Sequence, residues 1–228
     1  MLKQACRLVL ALGAILLASS PGFTVPNTFH LMQIEQVIGG VGGNTNLQAI
    51  QLRMRAPGQQ FVSQARLRGW NSAGANPFII VDMMTDVGIG NTGSRVLIAS
   101  PQFAATFPGA PPDFIMTNLI PAANLPAGKI TWEDDAGTVY WGLAWGGAAY
   151  TGTNLGQPDN DPDGNFNPPF GGPLPSSNNQ AVRFPGAATA QSTNNLVDYA
   201  LSAGNAVFTN NAGQSITVPV EAMDFFVR

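Results

Sequence analysis

Charged side chains are scarce in this sequence: Asp, Glu, Lys and Arg make up 10% of its 228 residues, against roughly 25% in an average globular protein. A coiled coil, which needs charges beside its apolar seam, is disfavoured on that ground. Cysteine is rarer still. The single one, Cys6, lies ahead of an apolar run near the N-terminus, where it cannot act as a lipoprotein cysteine. The chain after it has no thiol, so disulfides, zinc–thiolate sites, iron–sulfur clusters and cysteine nucleophiles drop out. Histidine occurs once, at His30, and no Gly-x-Ser-x-Gly elbow accompanies it, which removes the usual basis for a Ser-His-Asp hydrolase. Lysine occurs only at Lys3 and Lys129, and Lys129 sits in a strand-like run that gives a Schiff base no support. The Gly39–Gly43 run joins two strands with no helix after it, so it is not a phosphate loop. Beyond the N-terminus no apolar stretch suits a multispan membrane protein.

What is present points to strands. Gly 26 and Pro 18 together form nearly a fifth of the chain, which disfavours long helices and favours short strands joined by turns. Apolar residues, at 45%, suffice for a core. Residues 1–20 read as a secretory signal peptide: Lys3 and Arg7 supply the basic start, and Leu8–Ala18 is an apolar run too short for a comfortable membrane span. Cleavage is expected between Ser20 and Pro26, giving a secreted or cell-surface/periplasmic chain with no membrane span. A retained anchor is the alternative, disfavoured by the shortness of the run. Without Lys3 and Arg7, eight basic residues face thirteen acidic ones, a net charge of −5 that argues against a nucleic-acid partner. The one basic cluster is Arg53, Arg55, Arg66 and Arg68, whose alternate spacing in two strand-like runs places all four on a solvent-facing side.

The strand-like runs recur at short intervals. They are Leu31–Ile38, Leu47–Arg55, Phe61–Trp70, Phe78–Met83, Arg95–Ser100, Asp113–Met116, and a hairpin of Lys129–Glu133 with Thr138–Trp145. Ile50, Leu52 and Met54 alternate with Gln51, Arg53 and Arg55, which predicts a half-buried strand with one wet face. Phe61, Ala65 and Leu67 are expected to face inward. The apolar FIIV of Phe78–Val81 predicts a central strand. The pattern predicts an all-β fold, an immunoglobulin-like β-sandwich over 30–150, with a barrel as the structural alternative. From 151 to 185 a Gly/Pro/Asn/Asp-rich loop follows, ending in a return strand at Gln180–Phe184. Residues 186–195 read as a linker, Asn195–Ala203 as one or two helical turns, and Ala206–Thr209, Ser215–Val220 and Met223–Val227 as a short C-terminal β extension reaching 228.

Several motifs together resemble a known family. They are the opening MQIEQVIGGVGGNTNLQAIQLRM from Met32, LRGW at Leu67–Trp70, RVLIAS at Arg95–Ser100 and KITWEDDAGTVYWGLAWGG at Lys129–Gly147. The stretch Met32–Gly147 resembles the lamin-tail type of domain found in exported bacterial proteins. Glu35 and Ile50-Gln51-Leu52 match the family's opening, although Gln51 stands where the family usually has an acid. The resemblance covers about half the chain. It implies an immunoglobulin-like sandwich used for attachment or display, with no catalytic residues.

The sharpest local motif lies outside it. Asp159-Asn160-Asp161-Pro162-Asp163-Gly164-Asn165 places oxygen side chains at alternate positions before a glycine, the opening of a calcium loop. The twelfth position is Phe170 rather than a bidentate acid, so a helix–loop–helix site is broken. Asp159, Asp161, Asp163 and Asn165 are the expected calcium ligands, completed by carbonyls and a carboxylate from elsewhere; a solvated acidic turn is the plain alternative. Glu133-Asp134-Asp135 could pair carboxylates for catalysis, but neighbours in a turn diverge. Trp70, Trp132, Trp141, Trp145, Tyr140 and Tyr150 could form a sugar platform. However, Trp141 and Trp145 share a face with Val139 and Leu143, which favours a core, and leaves Tyr140 as the residue expected to be exposed for stacking. The expectation is therefore an exported, non-catalytic module for surface attachment, display or binding, calcium-stabilised, whose partner is a protein or glycan at the cell surface. The alternatives are a carbohydrate-binding accessory domain or a secreted hydrolase with an acidic site.

Overall fold

A computed structural model describes residues 29–219. The expected signal peptide and the run at 223–227 lie outside the described residues. The fold is all-β, with two short helices. The strands are β1 (Met32–Ile38), β2 (Ala49–Met54), β3 (Ala65–Trp70), β4 (Phe78–Asp82), β5 (Arg95–Ala99) and β6 (Phe114–Ile115). They continue with β7 (Gly128–Asp134), β8 (Val139–Trp145), β9 (Val182–Arg183), β10 (Ala200–Leu201), β11 (Val207–Thr209) and β12 (Ser215–Thr217). The helices are α1 (Pro101–Thr106) and α2 (Asn195–Asp198).

Two sheets face each other, a six-stranded one in the order β10-β9-β1-β2-β5-β6 and a four-stranded one in the order β4-β3-β7-β8. Alternation decides what lies between them. Ile50, Leu52 and Met54 of β2 and Val96 and Ile98 of β5 meet Leu67, Ile130, Trp132, Trp141, Leu143 and Trp145 across one core. The three tryptophans are fully buried, as the shared face of Trp141 and Trp145 predicts for those two. Each sends its indole N–H to an acceptor: Phe29 O, the Tyr199 hydroxyl and Asn124 O, for Trp132, Trp141 and Trp145 respectively.

Two bulges break the strict alternation. In β1 the pairing runs Ile34 with Leu52 and then Gln36 with Gln51, so Glu35 is the extra residue. Val37 thereby returns to the core, and Glu35 and Gln36 are both free to bond on the outer side. Between β7 and β8, Trp132 pairs with Trp141 but Glu133 pairs with Val139, which skips Tyr140. Tyr140 is consequently buried against Phe29 at 5.8 Å between ring centroids, and its hydroxyl donates to Asp134 Oδ2 at 3.0 Å. The expectation of an exposed, stacking Tyr140 is corrected: the bulge rotates it inward.

Over β1, β2 and β5 the outer face of the six-stranded sheet is covered. The β11–β12 hairpin and α1 lie over it, enclosing a second core of Ile38, Ala49, Leu97 and Ala99 under Phe103, Phe107 and Phe208. Helix α1 is started by Ser100, whose hydroxyl accepts the Phe103 N–H, with Pro101 in the first turn. Gln51 and Arg53, expected in water, are 2% and 7% exposed. Residues 186–195, expected as a linker, form an ordered strap, with the Ala187 and Ala190 carbonyls accepting from Gln33 and that of Ala190 also from Arg55. Strand β4, expected at a sheet centre, is an edge, with Ile79 exposed while Ile80 fills the core. Phe61 precedes β3 rather than opening it and is exposed. Among the described residues no helix is long and apolar enough to cross a membrane.

Candidate functional site

The four clustered arginines do not share a face. Three of them divide between two buried glutamates on opposite sheets, Arg53 at Glu35 and Arg66 and Arg68 at Glu133. Glu35 is fully buried on the outer side of the six-stranded sheet, where Arg53 reaches Oε1 at 3.1 Å and Arg95 grips Oε2 at 2.7 Å and Oε1 at 3.1 Å. Gln51 Nε2 donates to the same Oε2 at 2.6 Å. Glu133, on β7 of the other sheet, accepts from Arg66 at 2.9 Å and Arg68 at 2.7 Å, both to Oε1. A carboxylate inside a sheet needs such partners, because desolvation of an unpaired charge is costly. Burial pulls Arg53 below its ordinary value, with Glu35 opposing, whereas the hydrogen bonds it donates to Glu35 hold Arg95 above it. Arg55 turns elsewhere, to Asp159 O, Asn160 Oδ1 and the strap. The sequence carries a signal for the first site, an acid amid the apolar strand MQIEQVI, but not for its partners on β2 and β5.

The other members of the acidic hairpin diverge, as neighbours in a turn should. Asp134 accepts from the Thr138 N–H and the Tyr140 hydroxyl, while Asp135 is exposed. Lys129, beside Glu133 on the same outer face, donates to Thr153 O at 3.0 Å and lies over the Trp70 ring at 4.7 Å. Burial holds its ammonium down to about 8. Trp70 is half-buried under that cation, and Tyr150 is buried, so the expected sugar platform is dispersed through the core and the flanks.

The segment after residue 150 has a definite place: it lines the open edge of β8. Along that edge Val139 O accepts from Gln157 N, Tyr140 O from Asn160 Nδ2, and Ala144 O from Phe170 N, each at 2.9 Å. Asn195, which opens α2, does the most. Its Oδ1 accepts from Ala144 N at 2.7 Å and its Nδ2 donates to Gly142 O at 3.0 Å, so one side-chain amide imitates a neighbouring strand's peptide. Asn154 Nδ2 braces the same Oδ1 at 2.7 Å. An uncovered edge strand is a template for association with another chain, and here asparagines close it. Gly142 leaves the room: a Cβ on it would run into the Asn154 side chain.

Within this cover lies the expected calcium loop. Its members form a ladder of turns in which Asp161 Oδ1 accepts from Asp163 N, Asp163 Oδ1 from Asn165 N, and Asn165 Oδ1 from Asn167 N. Gly164 takes a positive φ of 69° where the chain reverses. Asp161 and Asp163 are brought together. Asp159 is turned away, with its carboxylate 3.7 Å from His30 and its side chain 65% exposed. Asp161 is 1% exposed, and its Oδ2 is buried without a hydrogen-bond partner. Burial first, and then the adjoining Asp163 carboxyl, push Asp161 up to about 6. Among the described residues no group of three or more acidic, histidine or cysteine side chains converges into a metal cluster.

A shallow apolar groove of about 550 Å³ opens near α2, lined by Leu125, Pro126, Phe170, Pro173, Leu174 and Leu201. The class that the fold defines is thus an all-β sandwich with a polar wrap. Comparison with protein-family models, with curated proteins and with solved structures finds no match for the chain.

Proposed function

We propose that the chain is an exported, non-catalytic β-sandwich module for attachment, display or binding at the cell surface, of immunoglobulin-like, lamin-tail type. The observation that supports it is how the acidic side chains are used. Glu35 and Glu133 are held by arginines, Asp113 by the Leu97 and Asn211 N–H groups, and Asp198 by Ser192, Thr193 and Asn194. Such groups position one another; a general acid or base must instead face a substrate. The motifs from Met32 to Gly147 and the N-terminal apolar run support the same reading from the sequence side. The partner class is an extracellular protein or glycan, and the groove beside α2 is the surface that best suits contact.

The test is a polysaccharide and glycan panel on the full chain, scored for both binding and hydrolysis. Binding or silence without bond cleavage is the expected result. Hydrolysis that disappears in Asp135→Asn, an exposed position whose change leaves the fold intact, would establish the hydrolase reading instead. Export is checked separately by N-terminal sequencing of chain recovered outside the cell, expected to begin between Pro21 and Asn27; full-length chain in the membrane fraction contradicts it.

A further inference from the structure

Asp161 presents an anomaly that the other deeply buried carboxylates avoid. Glu35 and Glu133, the other buried acids of comparable depth, are each matched by two or more cationic or amide donors. Asp161, at 1% exposure, takes part in no ion pair among the described residues. One of its oxygens caps the Asp163 N–H at 3.3 Å, and the other, Oδ2, is buried with no partner. A buried carboxylate oxygen left bare costs several kcal/mol in general, so folds seldom keep one without a ligand. The neighbouring group makes the cost larger, because it is a second carboxylate. The turn ladder fixes Oδ1 of both Asp161 and Asp163 on main-chain N–H groups and leaves the two carboxyls beside each other. Asp163 is exposed, which opens the pair to solvent on one side.

We infer that Asp161 Oδ2 and the Asp163 carboxylate hold one hard divalent cation, calcium, at the reversal around Gly164. Two carboxylates from a tight turn, with water and main-chain carbonyls filling the remaining positions, suit the flexible six-to-eight oxygen shell of calcium better than the strict octahedron of magnesium. Asp159 is not a ligand, since it faces His30. The ion would sit one residue from Asn160, whose amide bonds the Tyr140 and His30 carbonyls, so its binding locks the cover onto the edge of β8. The inference does not depend on which partner the module binds.

The experiment uses the full chain, stripped with chelator and titrated with calcium chloride by calorimetry and by thermal melting. With a Kd in the range of about 10⁻⁴–10⁻³ M usual for extracellular modules, 10 mM calcium raises Tm by roughly 3–10 °C for a chain of this size. One calcium binds per chain, and magnesium at the same concentration gives less than half the rise. Asp161→Asn and Asp163→Asn each remove the rise. In chelator Asp161→Asn melts at or above the wild type, because a bare buried charge has been removed. A wild type whose melting is the same in calcium and chelator overturns the site, as does an undiminished rise in Asp163→Asn. Should Asp161→Asn fail to fold, Asp163→Asn, exposed and tolerant, decides alone.

Discussion

Replacing Asn195 with alanine tests the edge cover at its most connected point. The side chain is fully buried and makes three hydrogen bonds: from Ala144 N and Asn154 Nδ2 to Oδ1, both at 2.7 Å, and from Nδ2 to Gly142 O at 3.0 Å. Truncation leaves the Ala144 N–H and the Asn154 amide without their acceptor, while Gly142 O keeps only a long bond of 3.4 Å from Asn154. At about 1–3 kcal/mol for each buried group left unsatisfied, the two orphaned donors amount to about 2–6 kcal/mol. For a chain of this size that is a fall in Tm of roughly 4–24 °C. Denaturant unfolding should show a lower midpoint with an unchanged slope, and the Ala144 amide should exchange faster. The adjacent Asn194→Ala is the control. It removes only the cap on Val197 N at 3.0 Å, a loss of about 1 kcal/mol. If Asn195→Ala costs no more than this control, the amide does not support the edge and the reasoning fails.

Three further outcomes follow from the same geometry. Glu35→Ala leaves Arg53 and Arg95 facing each other in a buried setting and should cost about 3–5 kcal/mol in urea unfolding; a loss within about 0.5 kcal/mol, as at a surface site, would contradict the pairing. Gly142→Ala drives a methyl into the Asn154 amide and should destabilise by about 1–3 kcal/mol, with Asn154→Ser on the same background recovering part of it; an equal melt for wild type and Gly142→Ala refutes the close approach. Lys129, held down to about 8 by burial, has released its proton in the folded chain at pH values where the unfolded chain still binds one, so stability rises from about pH 8 toward 10. Buried Tyr150, pushed up to about 12, reverses the trend above about pH 10, because unfolded tyrosine ionises first. In Lys129→Met the rise from pH 8 should be gone; an unaltered slope assigns it to another group.

Much of the sandwich is legible in the residues, and the reason is periodicity. Ile50-Leu52-Met54 and Trp141-Leu143-Trp145 state their buried faces by alternation alone, and Asp-Asp-Ala-Gly marks the hairpin turn that Gly137 makes at φ 92°. Alternation says only which residues lie opposite one another, not what covers the second face. Gln51 and Arg53 are buried because a hairpin more than 150 residues further on donates to Gln51 at Thr209 and because the strap accepts from Arg53. Tyr140 is misread for a related reason: a bulge adds one residue and shifts every later side chain, and nothing in the residue announces it. Strand β4 reads as central because its apolar run is continuous, yet half of that run meets the loop at Thr117 and Asn118 instead of another strand. In the loop, the alternate oxygens form a turn ladder, but which acid turns inward is set by the cover's attachment to β8 at Gln157, Asn160 and Phe170.

The central claim is that the polar segment from 154 to 201 is part of the sandwich, closing its β8 edge, rather than an appendage beside it. Native-state hydrogen exchange at increasing denaturant, followed by peptide mass spectrometry, tests this most directly. The account predicts that peptides covering Val139–Trp145, Asn154–Phe170 and Val182–Leu201 lose protection together, at one denaturant concentration. Early exchange of 154–201, with β8 still fully protected, would contradict it.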